Sequence, residues 1–298
     1  MISKKAKGIY NVLKIVNFKE VIDFMNPRRS KLSPVPLLLY TKRKIEKSTV
    51  LGRNVYNVSP NEGANDYQII YFHGGGYAAE AAFHHFDVVD NLIKETNATV
   101  TFVEYPLTPE HNVHDAIEMV FEAYKLETEK HPERRFAIFG DSAGGGLALA
   151  LAMTIRDFNQ ILSNPIKAPE KLVLFSPWLD IGLTNPKIMA HQARDIMLDA
   201  EALREVGKRY AYNIRLEDYR VSPTYGDLRN LGSILVFYGS EEIFQPDCEA
   251  FAGTAGVEGT KIYGVEYDEM QHDWIVLPIP ERDQTLKEAA DFLLMDQI

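Results

Sequence analysis

The chain has 298 residues, of which 46% are hydrophobic and 25% charged, and its formal net charge at pH 7 is −10. This composition is typical of a globular protein that forms one large α/β domain with a subdomain, or two modest domains. The single cysteine, Cys248, excludes a disulfide framework and a cysteine-based metal site, and an acidic chain is a poor partner for nucleic acid.

The first 53 residues are basic, with 13 Lys and Arg against three Asp and Glu, whereas the rest of the chain is strongly acidic. Because the lysines are scattered, we expect this segment to pack against the acidic body rather than to bind a membrane surface. Lys14, Lys19 and Glu20 interrupt the early apolar runs, so no signal peptide is predicted, and no integral membrane span is predicted either. These features favour a reducing, cytoplasmic location.

Apolar residues at helical spacing from Ile9 to Phe24 predict an amphipathic helix that ends before Pro27, followed by a proline-rich connector over residues 27–47. From about Val50, strand and helix patterns alternate. Strands are predicted at 67–72, 99–104, 136–139, 171–175, 233–238 and 261–266, and helices at 86–96, 113–130, 145–155, 198–211 and 282–294. This alternation predicts an α/β fold with a mostly parallel central sheet and helices on both faces.

Residues 178–225 break the alternation, because they contain a helical pattern and no strand candidate. We interpret this stretch as an insertion above the sheet. Together with the N-terminal helix it would form a helical cap over the carboxyl ends of the strands, where sites lie in such sheets.

Ser142 lies at the centre of Gly140-Asp141-Ser142-Ala143-Gly144, between a buried-strand pattern and a helix-forming run. The G-x-S-x-G sequence in this strand–turn–helix context is typical of a nucleophile elbow. The corner exposes the serine oxygen at the N-terminus of a helix, where the helix dipole favours a developing anion. An ordinary glycine-rich turn is the alternative for the bare pattern, but the context favours a nucleophile.

Three consecutive glycines follow the strand predicted at 67–72, in the sequence His73-Gly74-Gly75-Gly76. Without side chains, their N–H groups can face a ligand, and oxyanion holes of this type add the N–H of the residue after the nucleophile, here Ala143. A phosphate-binding or dinucleotide-binding loop fits less well, because neither Gly-Lys-Ser/Thr nor G-x-G-x-x-G spacing is present. His73 is interpreted as a structural hydrogen-bonding residue.

A serine nucleophile needs a base within hydrogen-bond reach and an acid that orients the base. Of the eight histidines, His272 fits best, because it follows the strand predicted at 261–266 and precedes the final helix. The acid is expected after the strand predicted at 233–238, where Glu241, Glu242 and Asp247 are candidates. Glu242 is the first choice and Asp247 the second.

These residues together resemble the hormone-sensitive-lipase-like branch of the α/β-hydrolase family, the bacterial carboxylesterases with an H-G-G-G loop. The resemblance covers about residue 50 to the C-terminus. It depends on residues 73–76, Tyr105-Pro106-Leu107-Thr108-Pro109-Glu110-His111, residues 140–145, Ser222-Pro223 with Tyr225, residues 239–247, and His272. It implies an α/β-hydrolase fold in which Ser142 is the nucleophile and His272 the base. Gly75, Gly76 and Ala143 would donate to the oxyanion, with Gly74 shaping the loop.

The acid of this family, usually Asp, stands three residues after a strand-end glycine, and Glu242 occupies that position here. The family's cap is built from N-terminal helices and an insertion after the sixth strand. The resemblance therefore implies an N-terminal helical cap segment at 1–48 and a catalytic domain at 49–298, with the cap insertion at about 183–220.

The implied activity is that of a serine carboxylesterase, without metal or other cofactor, that hydrolyses short-chain carboxylic esters through an acyl-enzyme. It would use a Ser-His-Glu triad and take a small-molecule ester as partner; the sequence leaves a homodimer open. One alternative is a deacetylase of an acetylated sugar or metabolite. Another, of a different class, is a catalytically weak ligand-binding protein like the plant gibberellin receptors of this branch. A lipase steered to membranes by the basic N-terminal helix is a further alternative.

Overall fold

Eight strands form one sheet in the computed structural model, in the order β1-β2-β4-β3-β5-β6-β7-β8 over the described residues, 1–21, 24, 35–254 and 256–295. The strands are β1 (Lys44–Val50), β2 (Arg53–Ser59), β3 (Tyr67–Phe72), β4 (Thr99–Val103), β5 (Arg135–Asp141), β6 (Lys171–Phe175), β7 (Gly232–Gly239) and β8 (Thr260–Tyr267). β2 is antiparallel to both β1 and β4, and all other neighbours are parallel.

Helices cover both faces of the sheet. They are α1 (Lys4–Ile15), α2 (Phe18–Val21), α3 (Leu37–Lys42), α4 (Phe83–Thr96), α5 (Val113–Lys130), α6 (Ala143–Asn159), α7 (Ile188–Gln192), α8 (Ala200–Ala211), α9 (Gln245–Ala252) and α10 (Pro280–Leu294). Along β3, Ile70 and Phe72 pack in the cluster that includes α5 and α6, whereas Ile69 and Tyr71 pack in the cluster that includes α4 and α10. Successive residues of a strand point to opposite faces, so the four consecutive apolar residues 69–72 of β3 fill both cores. The predicted α/β class is confirmed.

Most predicted elements from residue 67 onward are confirmed. The strands predicted at 67–72 and 171–175 and the helix predicted at 113–130 have the bounds of β3, β6 and α5, and the others agree within a few residues. The short helices α7 and α9 were not predicted, because elements of five and eight residues are too short to show helical periodicity clearly.

The N-terminal helix differs from its prediction. α1 ends at Ile15, and Asn17 has a φ of +48°, a left-handed conformation that interrupts a right-handed helix. The short α2 follows. Phe24 is described and buried, but the predicted end before Pro27 lies outside the described residues.

The connector predicted over residues 27–47 is wrong over its described part, where α3 and β1 lie. β1 exposes Glu46, Lys47 and Ser48, as charged edge strands do, and such a strand lacks the alternation of apolar and polar residues that identifies a strand. β1 begins at Lys44, inside the segment assigned to the cap. Residues 27–34 lie outside the described residues.

The insertion between β6 and β7 packs α8 into the core on the α5 and α6 side of the sheet. Tyr210 of α8 stacks on Tyr77, with ring centroids 3.8 Å apart and an interplanar angle of 4°. Tyr77 stacks on Trp178 at 5.7 Å, and Trp178 on Phe244 at 5.8 Å. We call these four side chains the aromatic stack. Residues 183–220 are all described and contain no strand.

Among the helices in the described ranges, none combines the length and hydrophobicity needed to cross a bilayer.

Candidate active site

Ser142 occupies the sharp turn between β5 and α6. Its backbone is held at φ +52° and ψ −121°, and its N–H donates to the carbonyl oxygen of Phe175 at the end of β6, 2.8 Å away. A methyl group on Gly144 would collide with the carbonyl oxygen of Phe72 on β3, so only glycine allows α6 to begin this close to the sheet. This is the strained strand–turn–helix geometry of a nucleophile elbow, as the sequence predicts.

The imidazole of His272 lies between two of the predicted site residues. Its Nε2 atom is 2.9 Å from Ser142 Oγ, and its Nδ1 atom is 2.5 Å from Glu242 Oε2. An ionised carboxylate only accepts hydrogen bonds, so Nδ1 carries the proton and Nε2 is the acceptor for the serine hydroxyl. The structure thus brings together three residues that the sequence places after β5, β7 and β8.

The second oxygen of Glu242 is also occupied. Glu242 Oε1 accepts from Ser176 Oγ at 2.9 Å and from the Gly239 N–H at 2.7 Å, and the side chain is fully buried. Ser176 has a φ of +44° directly after β6, and its Oγ also accepts from the Asp273 N–H at 3.3 Å. Sequence reasoning missed Ser176, although its place after a central strand is where site residues of such sheets lie.

The other two acid candidates lie elsewhere. Asp247 Oδ1 accepts from Asn185 Nδ2 at 2.8 Å, and burial raises the pKa of Asp247 to about 6. Glu241 forms an ion pair with Arg194 at 3.6 Å. Both ring nitrogens of His272 are engaged by Ser142 and Glu242, so neither alternative acid has a ring nitrogen left to bind.

The three glycines after β3 differ in what their N–H groups do. The Gly74 N–H donates to Asp141 Oδ2 at 2.7 Å, so Gly74 shapes the loop and its N–H is not a free oxyanion donor. Within the described ranges, the N–H groups of Gly75, Gly76 and Ala143 donate to no protein acceptor. Gly75 has a φ of +115°, which a residue with a side chain rarely adopts. Ala143 is the first residue of α6, where the helix dipole is positive.

The contacts of His73 are those of a residue that holds the glycine loop in place. Its ring stacks on Tyr105 at 4.7 Å, its Nδ1 lies 2.6 Å from the Gly74 carbonyl oxygen, and it is buried. Burial lowers the pKa of His73 to about 4, so the ring is uncharged at neutral pH.

The insertion is bound to both loops that carry the acid and the base. Asp195 Oδ2 accepts from the Ile243 N–H at 2.9 Å, next to Glu242 in the chain. Gln271, next to His272, accepts from the Ile196 N–H at 2.8 Å and donates to the Arg194 carbonyl oxygen at 3.2 Å. Sequence reasoning missed these contacts, because side chains that join distant loops leave no local pattern.

Comparisons with known proteins identify the family of this chain. The profile of a family with the α/β-hydrolase fold matches residues 69–276. An Acinetobacter venetianus protein named esterase is 32% identical over 75% of this chain and 73% of its own length. A Streptomyces hygroscopicus protein named acetyl-hydrolase is also 32% identical, over 76% of this chain and 74% of its own.

Solved structures show the same fold. A Staphylococcus aureus protein assigned as an esterase has a TM-score of 0.82 at 27% identity, over 98% of this chain and 93% of its own. An esterase from the bacterial hormone-sensitive lipase family has a TM-score of 0.82 at 23% identity, over 98% of both chains. The chain therefore belongs to the α/β-hydrolase family and is a carboxylic ester hydrolase.

Proposed function

We propose that this chain is a serine carboxylesterase that hydrolyses short-chain carboxylic esters through an acyl-enzyme. One observation carries the proposal: the His272 imidazole bridges Ser142 Oγ, at 2.9 Å, and Glu242 Oε2, at 2.5 Å, in a buried site. Both contacts are within the range in which a proton is transferred or an imidazole is oriented by hydrogen bonding.

The reaction follows from these contacts. Ser142 Oγ attacks the ester carbonyl carbon while His272 Nε2 accepts the hydroxyl proton, and Glu242 stabilises the resulting imidazolium at Nδ1. The imidazolium then protonates the leaving alcohol as the tetrahedral intermediate collapses to the acyl-enzyme. In the second half-reaction, His272 removes a proton from water, which attacks the acyl carbon. The imidazolium then returns this proton to Ser142 Oγ as the acyl–oxygen bond breaks and the acid is released.

The oxyanion of both tetrahedral intermediates is assigned to the N–H groups of Gly75, Gly76 and Ala143. Their lack of protein acceptors in the described ranges supports this, since donors aimed at a developing charge must be free in the resting enzyme. Gly74 keeps the loop in place through Asp141.

A deacetylase of an acetylated metabolite is the second candidate. The relative named acetyl-hydrolase, at 32% identity, favours it, and the same site residues would serve. We also infer that residues 1–48 and about 183–220 form the cap. Packing of the basic N-terminus on the acidic body agrees with the hydrogen bonds from Ser3 Oγ to Glu281 and from the Ile2 N–H to Glu269.

The dependence of kcat/KM on the length of the acyl chain distinguishes a short-chain esterase from a deacetylase and from a lipase. In a series of p-nitrophenyl esters from acetate to laurate, we expect kcat/KM to be highest for acetate or butyrate. A steep fall after acetate would favour the deacetylase, and highest turnover on twelve-carbon or longer esters would contradict the short-chain proposal. Emulsified long-chain triglyceride should be hydrolysed poorly, which would argue against the membrane-surface lipase.

The hydrogen bond between the Ile196 N–H of the insertion and Gln271, next to His272, predicts that a substitution of Gln271 lowers activity selectively. Gln271→Leu leaves the Ile196 N–H without its acceptor, at a cost of roughly 1–3 kcal/mol. We expect kcat/KM to fall about tenfold, because His272 is the next residue in the chain. Gln192→Leu is the matched control, since Gln192 Oε1 accepts from the Ala200 N–H within the insertion, and it should cost activity less than threefold at equal thermal stability. Equal losses in the two variants would contradict the link.

A further inference from the structure

Two aspartates flank the proposed triad in the chain: Asp141 precedes Ser142, and Asp273 follows His272. Both side chains are buried, with exposures of 0% and 8%, and their carboxyl groups are in hydrogen-bonding contact with each other. Two ionised carboxylates have only acceptors between them, so this contact is a hydrogen bond only if one of the two carries a proton.

The partners of each carboxyl group indicate where the proton resides. Asp141 accepts from the Tyr71 hydroxyl at 2.6 Å and from the Gly74 N–H at 2.7 Å, and these donors offset part of the effect of burial, which raises the pKa of Asp141. Asp273 Oδ1, in contrast, is buried and receives no donor from the described residues. Burial raises the pKa of Asp273 well above its usual range, and the charge of Asp141 acts in the same direction.

Among the described residues, no lysine or arginine side chain forms an ion pair with either aspartate. The titratable side chains that face the pair are Tyr71 on β3, His85 on α4, Tyr105 after β4, and Glu242 and His272 of the proposed triad. His85 Nδ1 accepts from the Ala82 N–H, so its protonated Nε2 faces Asp141 Oδ2 at 4.0 Å. Burial lowers the pKa of His85 well below its usual range, which leaves this ring neutral.

We propose that Asp141 and Asp273 share one proton and act as a positioning pair, in which protonated Asp273 donates to Asp141 and Asp141 holds the Gly74 N–H. The inference rests on the proposed function, because it assigns the pair to the same site. Through these contacts the proton joins three parts of the site: the Ser142 elbow, the glycine loop and the His272 loop. Loss of the proton brings two buried negative charges into contact and forces these parts to separate.

The pair makes the stability of the protein depend on pH above the ordinary pKa of an aspartate. Because the pKa of Asp273 is raised in the folded state, the folded protein binds more protons than the unfolded chain between the ordinary pKa of an aspartate and the raised one. Stability from the shared proton is therefore complete at acidic pH and is lost as pH rises through the raised value. A variant that cannot ionise at residue 273 should lack this loss.

The test compares two substitutions of Asp273 of similar size. Asp273→Leu removes the donor, and we expect kcat/KM for p-nitrophenyl butyrate at pH 7 to fall about 10- to 100-fold, as for loss of a buried hydrogen bond to a charged group. Asp273→Asn keeps an N–H donor towards Asp141 and should restore activity to within about threefold of wild type. As pH rises from 5 to 10, the Tm of Asp273→Asn relative to wild type should rise, and so should the ratio of its kcat to that of wild type.

Parallel pH profiles for wild type and Asp273→Asn would overturn the shared proton, as would equal losses for the Asn and Leu variants. If Asp273→Leu fails to fold, the proposal is tested by comparing the pH dependence of Tm in Asp273→Asn and in wild type. That melting measurement needs no activity, so it still tests the pair if the wild-type enzyme hydrolyses no ester and the proposed function fails.

Discussion

Replacement of Ser142 by alanine is expected to abolish turnover of p-nitrophenyl butyrate, with a decrease in kcat of roughly 10⁶-fold, as for removal of the nucleophile from a serine hydrolase. The substitution removes only the Oγ atom, whose one hydrogen bond to a described residue is to His272, so Tm should change little. Stopped-assay measurement of ester hydrolysis at high enzyme concentration would give the residual rate.

Covalent labelling gives a second readout of the same prediction. A fluorophosphonate probe should modify the wild-type enzyme and leave Ser142→Ala unmodified. Ser240→Ala is a suitable control, because Ser240 lies in the loop after β7 but its Oγ accepts from the Glu269 N–H rather than contacting the triad. The control should label normally. Near-normal activity of Ser142→Ala would refute the assignment, and a wild type that does not label would favour the ligand-binding alternative.

The second large effect is expected for Glu242→Gln. The glutamine oxygen can still accept from Ser176 and Gly239, which leaves the amide NH₂ facing His272 Nδ1. The imidazole would then accept at Nδ1 and carry its proton on Nε2, so it could no longer accept the Ser142 proton. By analogy with the same change in a serine protease triad, kcat should fall by about 10³- to 10⁴-fold. Steady-state kinetics at several pH values would measure it.

Asp247→Asn is the matched control for the acid. Asp247 bonds to Asn185, and no ring nitrogen of His272 is free to bind it, so kcat should fall less than about tenfold. Because burial raises the pKa of Asp247 to about 6, the substitution should matter least at acidic pH, where the wild-type side chain is already neutral. A larger loss for Asp247→Asn than for Glu242→Gln would mean that the acid is misassigned.

The parts of the fold that could be predicted are those in which the local pattern of apolar residues matches the burial of the element in the folded protein. α5 has eighteen residues and a regular apolar face, and β3 and β6 are buried, mostly apolar strands in the middle of a parallel sheet, so the pattern of apolar residues gives their bounds. The elbow was predictable for another reason, because few sequences can form a turn as tight as the one at Ser142. Once Ser142 is proposed as the nucleophile, the acid and the base are expected in the loops after later strands, which leaves few candidates.

The rest depends on contacts that no local pattern records. β1 carries the polar side chains of an edge strand, so its pairing with β2 could be recognised only in three dimensions. The support of Glu242 by Ser176, and of the acid and base loops by Asp195 and Gln271, joins residues far apart in the chain. The sequence narrows the candidates for the acid to one loop and ranks Glu242 before Asp247, and in the structure Glu242 is the one that reaches the imidazole.

The aromatic stack has a consequence for how this enzyme could be re-engineered. Tyr210 from the insertion rests face to face on Tyr77, Tyr77 leads through Trp178 to Phe244, and the edge of Phe244 meets the His272 ring at 5.1 Å. An insertion transplanted from a relative would bring its own side chain to the place of Tyr210. Chimaeras meant to change only the substrate range must therefore retain this tyrosine, or they will also loosen the packing of the His272 ring.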